Sequence, residues 1–209
     1  MKWAVVSDFD GTITEFDVGD FLLLNFNLAT HKEIEESYTL NMKIEDWMKV
    51  YFKRMKDIEE SEIRRVIKSK VKIRDGFKEF VDFLKNNDFP FEIVSGGVDL
   101  YIEEILKINS IKACGFYGKF NAGDIRYDFL KNGITLYEFK AVRVLHYKNL
   151  GYKTIFLGDS HNDYYAAKSA DLCFAAHRLA DIFDKEKYLF NKLNNFYSVI
   201  EVINASYSS

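Results

Sequence analysis

The 209-residue chain predicts a doubly wound α/β fold, a parallel sheet with helices on both faces, carrying a helical segment inserted after the first strand. Three observations predict it. Short apolar runs alternate with amphipathic stretches of helical length. Carboxylates and a small hydroxyl stand where three of those runs end, and ligands of open α/β sheets bind beyond the carboxyl ends of their strands. Residues 16 to 72, by contrast, hold no convincing strand pattern.

In chain order, apolar strands are expected near residues 3 to 7, 91 to 95, 112 to 116, 153 to 157 and 171 to 175. Helices are expected near 75 to 87, 98 to 109, 138 to 150 and 162 to 169, and the single proline, Pro90, stands just before the second core strand. Within the insert, Thr30-x-x-Glu33 fits a capping box. Ile44, Trp47, Met48, Tyr51 and Phe52 form one apolar stripe, taken as packing of the insert rather than a ligand site. The division that follows is a catalytic core from residues 1–15 and 73–209, with a helical cap domain at 16–72. Phe116 to Phe129, centred on Asn121-Ala122-Gly123-Asp124, suggests a β-hairpin beside the sheet with an architectural role.

Composition narrows the class. With 48% hydrophobic residues, 29% charged and a formal net charge of −3, the chain can bury one core and a modest insert. Balanced charge argues against nucleic acid as partner, and the basic cluster Lys68 to Lys72 with Arg74 is interrupted by Ser69, Val71 and Ile73, as at a solvated helix end. Cys114 and Cys173 both lie in apolar surroundings, which predicts two buried free thiols and a cytoplasmic setting. No apolar stretch reaches the 18 residues of a membrane span, and none near the N-terminus resembles a signal peptide. Oligomeric state leaves no mark on the sequence.

The chemistry starts at Asp8-Phe9-Asp10-Gly11-Thr12, where the strand Trp3-Ala4-Val5-Val6 runs out. Side chains two apart on a strand share a side, so both carboxylates face one space, and Gly11 allows a sharp turn and close approach to an anion. Ile93-Val94-Ser95-Gly96-Gly97 ends a second strand ahead of a helix expected to begin near Val98, an anion site in outline. Lys140 lies near the start of a segment whose apolar face is read as Phe139, Val142 and Leu145. Gly158-Asp159-Ser160-His161-Asn162-Asp163 then delivers two more carboxylates and an amide, hard oxygen ligands suited to Mg²⁺. His161, a single imidazole among carboxylates, is expected to line the entrance rather than bind metal.

Asp8-x-Asp10-Gly11-Thr12, Ser95, Lys140 and Gly158-Asp159-x-x-Asn162-Asp163, in that order, resemble the four motifs of the haloacid dehalogenase superfamily, over residues 8 to about 176. The long insert after the first motif is similar to the phosphoserine phosphatase-like branch. Asp8 to Thr14 and Gly158-Asp159-Ser160 also resemble the 2-hydroxy-3-keto-5-methylthiopentenyl-1-phosphate phosphatases. The resemblance implies a Mg²⁺-dependent phosphatase of a small phosphomonoester. In it Asp8 is the nucleophile that forms an aspartyl-phosphate, and Asp10 protonates the leaving group and then activates water. Asp8, Asp159 and the Asp10 carbonyl would hold the metal, with Asp163 on the ion or on a ligand water. Ser95, Gly96, Lys140 and Asn162 would bind the phosphate.

Asp10 suits an oxygen leaving group, because a halide needs no proton. A phosphotransferase or phosphomutase using the same intermediate stays open, as does a catalytically silent binding protein on the same fold. For substrate binding the cap offers Asp17 and Arg54 as candidates, beside Glu15, Lys49 and Lys53. The phosphoserine enzymes pair an acidic residue at the position of Asp17 with a cap arginine, and here Val50 falls at the arginine position. A carboxylate-bearing substrate would lack its partner unless Arg54 substitutes, so a sugar-like or keto-enol phosphate ranks above phosphoserine.

Overall fold

The structure, a computed structural model, describes residues 2–38, 43–131 and 133–206. The expected domain ends at 1 and 209, and positions 39–42 of the insert, lie outside these. β1 (Trp3–Ser7) is followed, among the described residues of the insert, by the helices α1 (Val18–Asn25), α2 (His31–Ser37), α3 (Ile44–Phe52) and α4 (Glu60–Lys70). The core resumes with α5 (Phe77–Asn86), β2 (Phe91–Val98), α6 (Asp99–Ile108), β3 (Cys114–Asn121), β4 (Asp124–Arg126) and α7 (Leu136–Asn149). It ends with β5 (Lys153–Gly158), α8 (Tyr164–Ser169), β6 (Leu172–Ala175), α9 (His177–Glu186), β7 (Asn191–Lys192) and α10 (Phe196–Ala205).

Among the described residues seven strands lie in the order β4-β3-β2-β1-β5-β6-β7, all parallel except the β3–β4 hairpin. After β3 and β4 the chain crosses β1 to build the other half, so the switch of direction falls at β1, between β2 and β5. A crevice opens there at the carboxyl ends of the strands. Alternation divides the core: Val5, Ile93, Ile155 and Leu157 face one layer with Phe77, Phe80 and Phe196, and Ala4, Val6, Val94 and Phe156 face another with Val144 and Phe183. The two chain crossings into the insert run side by side, with a bridge between Thr14 and Ile73 and a bond from the Arg74 amide to the Ile13 carbonyl at 2.7 Å.

The hairpin and the Thr30–Glu33 capping box form as expected. Four expectations need correction. Ser95-Gly96-Gly97 does not end the strand, which runs on to Val98 with a register shift, although the helix begins at Asp99 beside the expected Val98. β3 starts at Cys114 rather than near residue 112. The Cys114 thiol is exposed at that strand's start, while Cys173 is buried. On α7, Val142 and Leu145 face solvent; the buried face is Leu136, Lys140, Val144 and Tyr147, a regular helical spacing that includes the lysine.

A second capping box, unread in the sequence, starts α7: Thr135 accepts from the Glu138 amide, and Glu138 accepts from the Thr135 amide at 2.7 Å. No helix among the described residues is long and apolar enough to cross a membrane. Because this cap orients the helix that carries Lys140, Thr135→Ala should lower unfolding stability by about 1 kcal/mol, measured as a shift in urea midpoint at unchanged m-value.

Candidate active site

The Asp8 amide still donates to the Leu157 carbonyl at 2.9 Å, so Asp8 stands at the carboxyl edge of the sheet, beside β5. The chain then wraps around a single acceptor, with the amides of Thr12, Ile13 and Thr14 all directed at the Phe9 carbonyl. Phe9 is buried and fills the core, which leaves Asp8 and Asp10 on the same side. Gly11 has a φ of +65°, and a Cβ there would collide with the Asp159 carboxylate, so both backbone and space demand glycine. Arg74, from the returning crossing, fastens the loop by donating to the carbonyls of Thr12 at 2.9 Å and Gly11 at 2.7 Å.

Lys140 is only 1% exposed, and its ammonium lies 3.0 Å from Asp8 Oδ1 and 2.7 Å from Asp163 Oδ1. The other Asp163 oxygen accepts from the amides of Asp159 at 2.9 Å and Ser160 at 3.1 Å, so one carboxylate ties the lysine to the turn after β5. From β2, the Ser95 hydroxyl accepts from the Gly97 amide at 3.0 Å and lies 3.4 Å from Asp10 Oδ2. Carboxylate oxygens of Asp8, Asp159 and Asp163 come within 4.8 Å of one another.

One ammonium among so many carboxylates sets the electrostatics. Burial, partly offset by Lys140, raises Asp8 to about 7. Burial also raises Asp10 well above the usual carboxylate range, reinforced by the charges of Asp17 and Asp8. Asp159 rises likewise, through burial and then Asp8 and Asp163. Burial would lower the lysine, but Asp163 and Asp8 outweigh it and hold the ammonium charged.

These groups enclose a cavity of about 40 Å³, which also touches Gly96, Asn162 and the side chains of Asp17 and Asp20. That is room for a water or two. Asp17 caps α1, accepting from the Asp20 amide at 2.8 Å. The Tyr38 hydroxyl donates to Asp20 and lies 3.3 Å from Asp17 Oδ2. Burial, then the Asp17 charge, raises Asp20 to about 8. Ile44, Trp47 and Met48 supply the apolar wall, so this part of the α3 stripe is cavity lining and not only packing within the insert.

Of the cap candidates, Asp17 reaches the cavity and Arg54 does not. Arg54 stacks on Tyr51, 4.2 Å from the ring centre, and donates to the Leu28 carbonyl at 2.6 Å and to Glu33 at 3.2 Å. His161 stays outside the carboxylate cluster and, with Tyr38, lines a separate cleft of about 620 Å³. Sequence reasoning missed Asp20, Tyr38 and Tyr101. Asp20 was within reach, three residues after an N-cap, whereas a tyrosine on a buried helix face reads as core.

Comparison with known proteins agrees with this geometry. The haloacid dehalogenase-like hydrolase family matches residues 5–168. The chain is similar to the 2-hydroxy-3-keto-5-methylthiopentenyl-1-phosphate phosphatase of Bacillus pumilus (strain SAFR-032), 30% identical over 184 residues that cover 83% of this chain and 79% of that one. It is also similar to the protein of the same name from Lysinibacillus sphaericus (strain C3-41), 26% identical over 231 residues, covering 97% and 94%. Among solved structures, a substrate-bound phosphoserine phosphatase complex shares the fold with a TM-score of 0.76 at 19% identity, covering 97% of this chain and 98% of that one. With the family matched across most of the chain, and with the paired aspartates, the lysine and the carboxylate turn gathered around one cavity, the protein belongs to the haloacid dehalogenase-like hydrolases as a hydrolase of phosphoric monoesters.

Proposed function

We propose that the protein hydrolyses a small phosphorylated metabolite through a phosphate ester on Asp8, with Mg²⁺ as cofactor and residues 16–72 as a cap over the site. The enclosed cavity shared by Asp8, Asp10, Ser95, Lys140 and Asn162 carries this reading. In the first displacement the Asp8 carboxylate attacks phosphorus, and Asp10 gives its proton to the departing oxygen. In the second, Asp10 takes a proton from water, which attacks the phosphorus and frees Asp8. Ser95, the Gly96 amide, Lys140 and Asn162 are the donors assigned to the phosphate oxygens, where charge builds in the transition state.

The residues fit a magnesium ion: three carboxylates crowd together at the site, every donor is a hard oxygen, and Lys140 alone does not balance their charge. Asp8, Asp159 and the Asp10 carbonyl would hold the ion. Asp163, whose oxygens also accept from Lys140 and the turn amides, would join them on the ion or on a ligand water. When bound, the ion offsets repulsion between the phosphate and the carboxylates.

Substrate choice follows from the cap wall. Among the described residues lining the cavity Lys140 is the one cation, and it is already paired with Asp8 and Asp163, so a substrate carboxylate would find no partner. The Asp17–Tyr38–Asp20 group and the apolar side chains of Trp47 and Met48 suit a hydroxylated, uncharged leaving group with an apolar end. That favours a keto-enol or sugar-like phosphate, as in the name of the Bacillus pumilus relative, over phosphoserine.

Phosphate release across a panel of phosphorylated metabolites tests the reading. Asp8→Asn should abolish release, and Asp10→Asn should slow it by about 10² to 10⁴ while accumulating phosphoenzyme from an activated aryl phosphate; a normal burst from Asp8→Asn would remove it as nucleophile. Gly11→Ala, which drives a methyl into Asp159, should weaken Mg²⁺ binding in calorimetric titration and cut turnover while the folded state persists. Asp17→Asn should reorder the preferred metabolites with little effect on an aryl phosphate, whereas Arg54→Ala should leave the order as it was.

A further inference from the structure

Tyr101 lies on α6 with its ring fully buried, against Phe9 of the first motif at 6.4 Å and Phe52 of α3 at 6.5 Å between ring centres. Its hydroxyl donates to Asp10 Oδ2 at 2.7 Å. The other Asp10 oxygen accepts from the Val18 amide, the first of α1, at 3.1 Å. Both oxygens of the carboxyl group are therefore held, one from the core and one from the insert.

The contact is built into the second motif. A Cβ on Gly97 would collide with the Tyr101 hydroxyl and stand 2.6 Å from Asp10 Oδ2, so the second glycine of Ser-Gly-Gly clears the space in which phenol and carboxylate meet. The phenol is fully buried and its hydroxyl is directed at the carboxyl group of Asp10.

We propose that Tyr101 is a positioning residue for the acid/base step: its hydrogen bond fixes the rotation of the Asp10 carboxyl group so that the group meets the leaving-group oxygen in the first displacement and the attacking water in the second. This rests on the role proposed above for Asp10. The proton passes from Asp10 to the leaving oxygen and later from water back to Asp10, and Tyr101 keeps its own throughout. Its bond strengthens as Asp10 becomes a carboxylate, since charge-assisted bonds are the stronger ones.

The test is Tyr101→Phe, which keeps the ring and removes the hydroxyl, read by rapid-mixing kinetics with 4-nitrophenyl phosphate and with alkyl phosphates. With the aryl ester, whose leaving group needs no proton, the burst of nitrophenol should keep its rate while steady turnover falls about tenfold to a hundredfold, the scale of one hydrogen bond to a charged group. With alkyl phosphates kcat/KM should fall by a similar factor, so that the dependence on leaving-group basicity steepens. In an Asp10→Asn background the same substitution should add little, because the two act as one unit.

Equal losses in burst and turnover, an unchanged leaving-group dependence, or a full additional loss on top of Asp10→Asn would reduce Tyr101 to packing and overturn the proposal. Should Tyr101→Phe fail to fold, Tyr101→Met, which also fills the space without a hydroxyl, is read in the same way. A wild-type protein with neither burst nor turnover on any phosphomonoester would overturn the phosphatase mechanism itself, an outcome distinct from an active wild type whose Tyr101 variant shows no selective defect.

Discussion

Lys140 reaches from α7 into a space closed to solvent and places its ammonium between Asp8 on the β1 loop and Asp163 on the turn after β5. Taking a charge out of water is costly, and a buried ion pair seldom repays that cost by attraction alone. Here the arrangement holds because Asp163 is satisfied twice over, by the lysine and by the amides of Asp159 and Ser160. Three separate segments are thereby locked to one another at the carboxyl edge of the sheet. Remove the ammonium and Asp8, Asp159 and Asp163 face each other unbalanced; remove Asp163 and both the lysine and the turn lose their anchor.

The surrounding fold supplies the rigidity such a cluster needs. β1 and β5 are adjacent parallel strands in register from Trp3 to Ser7, so Asp8 and Asp159 emerge side by side. The strand order places the change of winding direction at this point, which leaves the crevice uncovered by crossover helices. Cover comes instead from the insert, whose α1 gives an amide to Asp10 and whose α3 lends Trp47 and Met48 to the cavity wall. In the function proposed above, chemistry and selection are divided between two parts of the chain: the sheet edge is assigned the groups that meet phosphate, and the helices those that meet the rest of the substrate.

The same division explains a contrast in charge. On the core side the carboxylates are arranged around the ammonium of Lys140. On the cap side Asp17 and Asp20 share a tyrosine hydroxyl, and among the described residues lining the cavity Lys140 is the one cation. Burial, then the Asp17 charge, raises Asp20 to about 8, and the proposed function assigns a neutral, hydrogen-bonding part of the substrate to this place. The chain's one strong cap candidate for an anionic substrate, Arg54, is instead used to fasten α3 to the loop at Leu28 and to Glu33.

What the sequence determined by itself was local and ordered: short continuous apolar runs mark the core strands, and the residues after β1, on β2 and after β5 carry motifs whose side chains point one way once a strand is assumed. Gly11, Asp8, Asp10, Asp159 and Asp163 were legible because their chemistry has few other uses at such spacing. Two things were decided only by tertiary structure. The exposed and buried faces of α7 could not be told apart while Lys140 was counted as polar, since a lysine joins a buried face only when distant carboxylates meet it there. Tyr101, Tyr38 and Asp20 likewise became site residues through contacts that span the chain, from residue 10 to 101 and from 20 to 38. A hydroxyl on an apolar helix face carries no local mark of its partner, and only the packing of α6 against the first loop, and of Tyr38 against α1, determines what it holds.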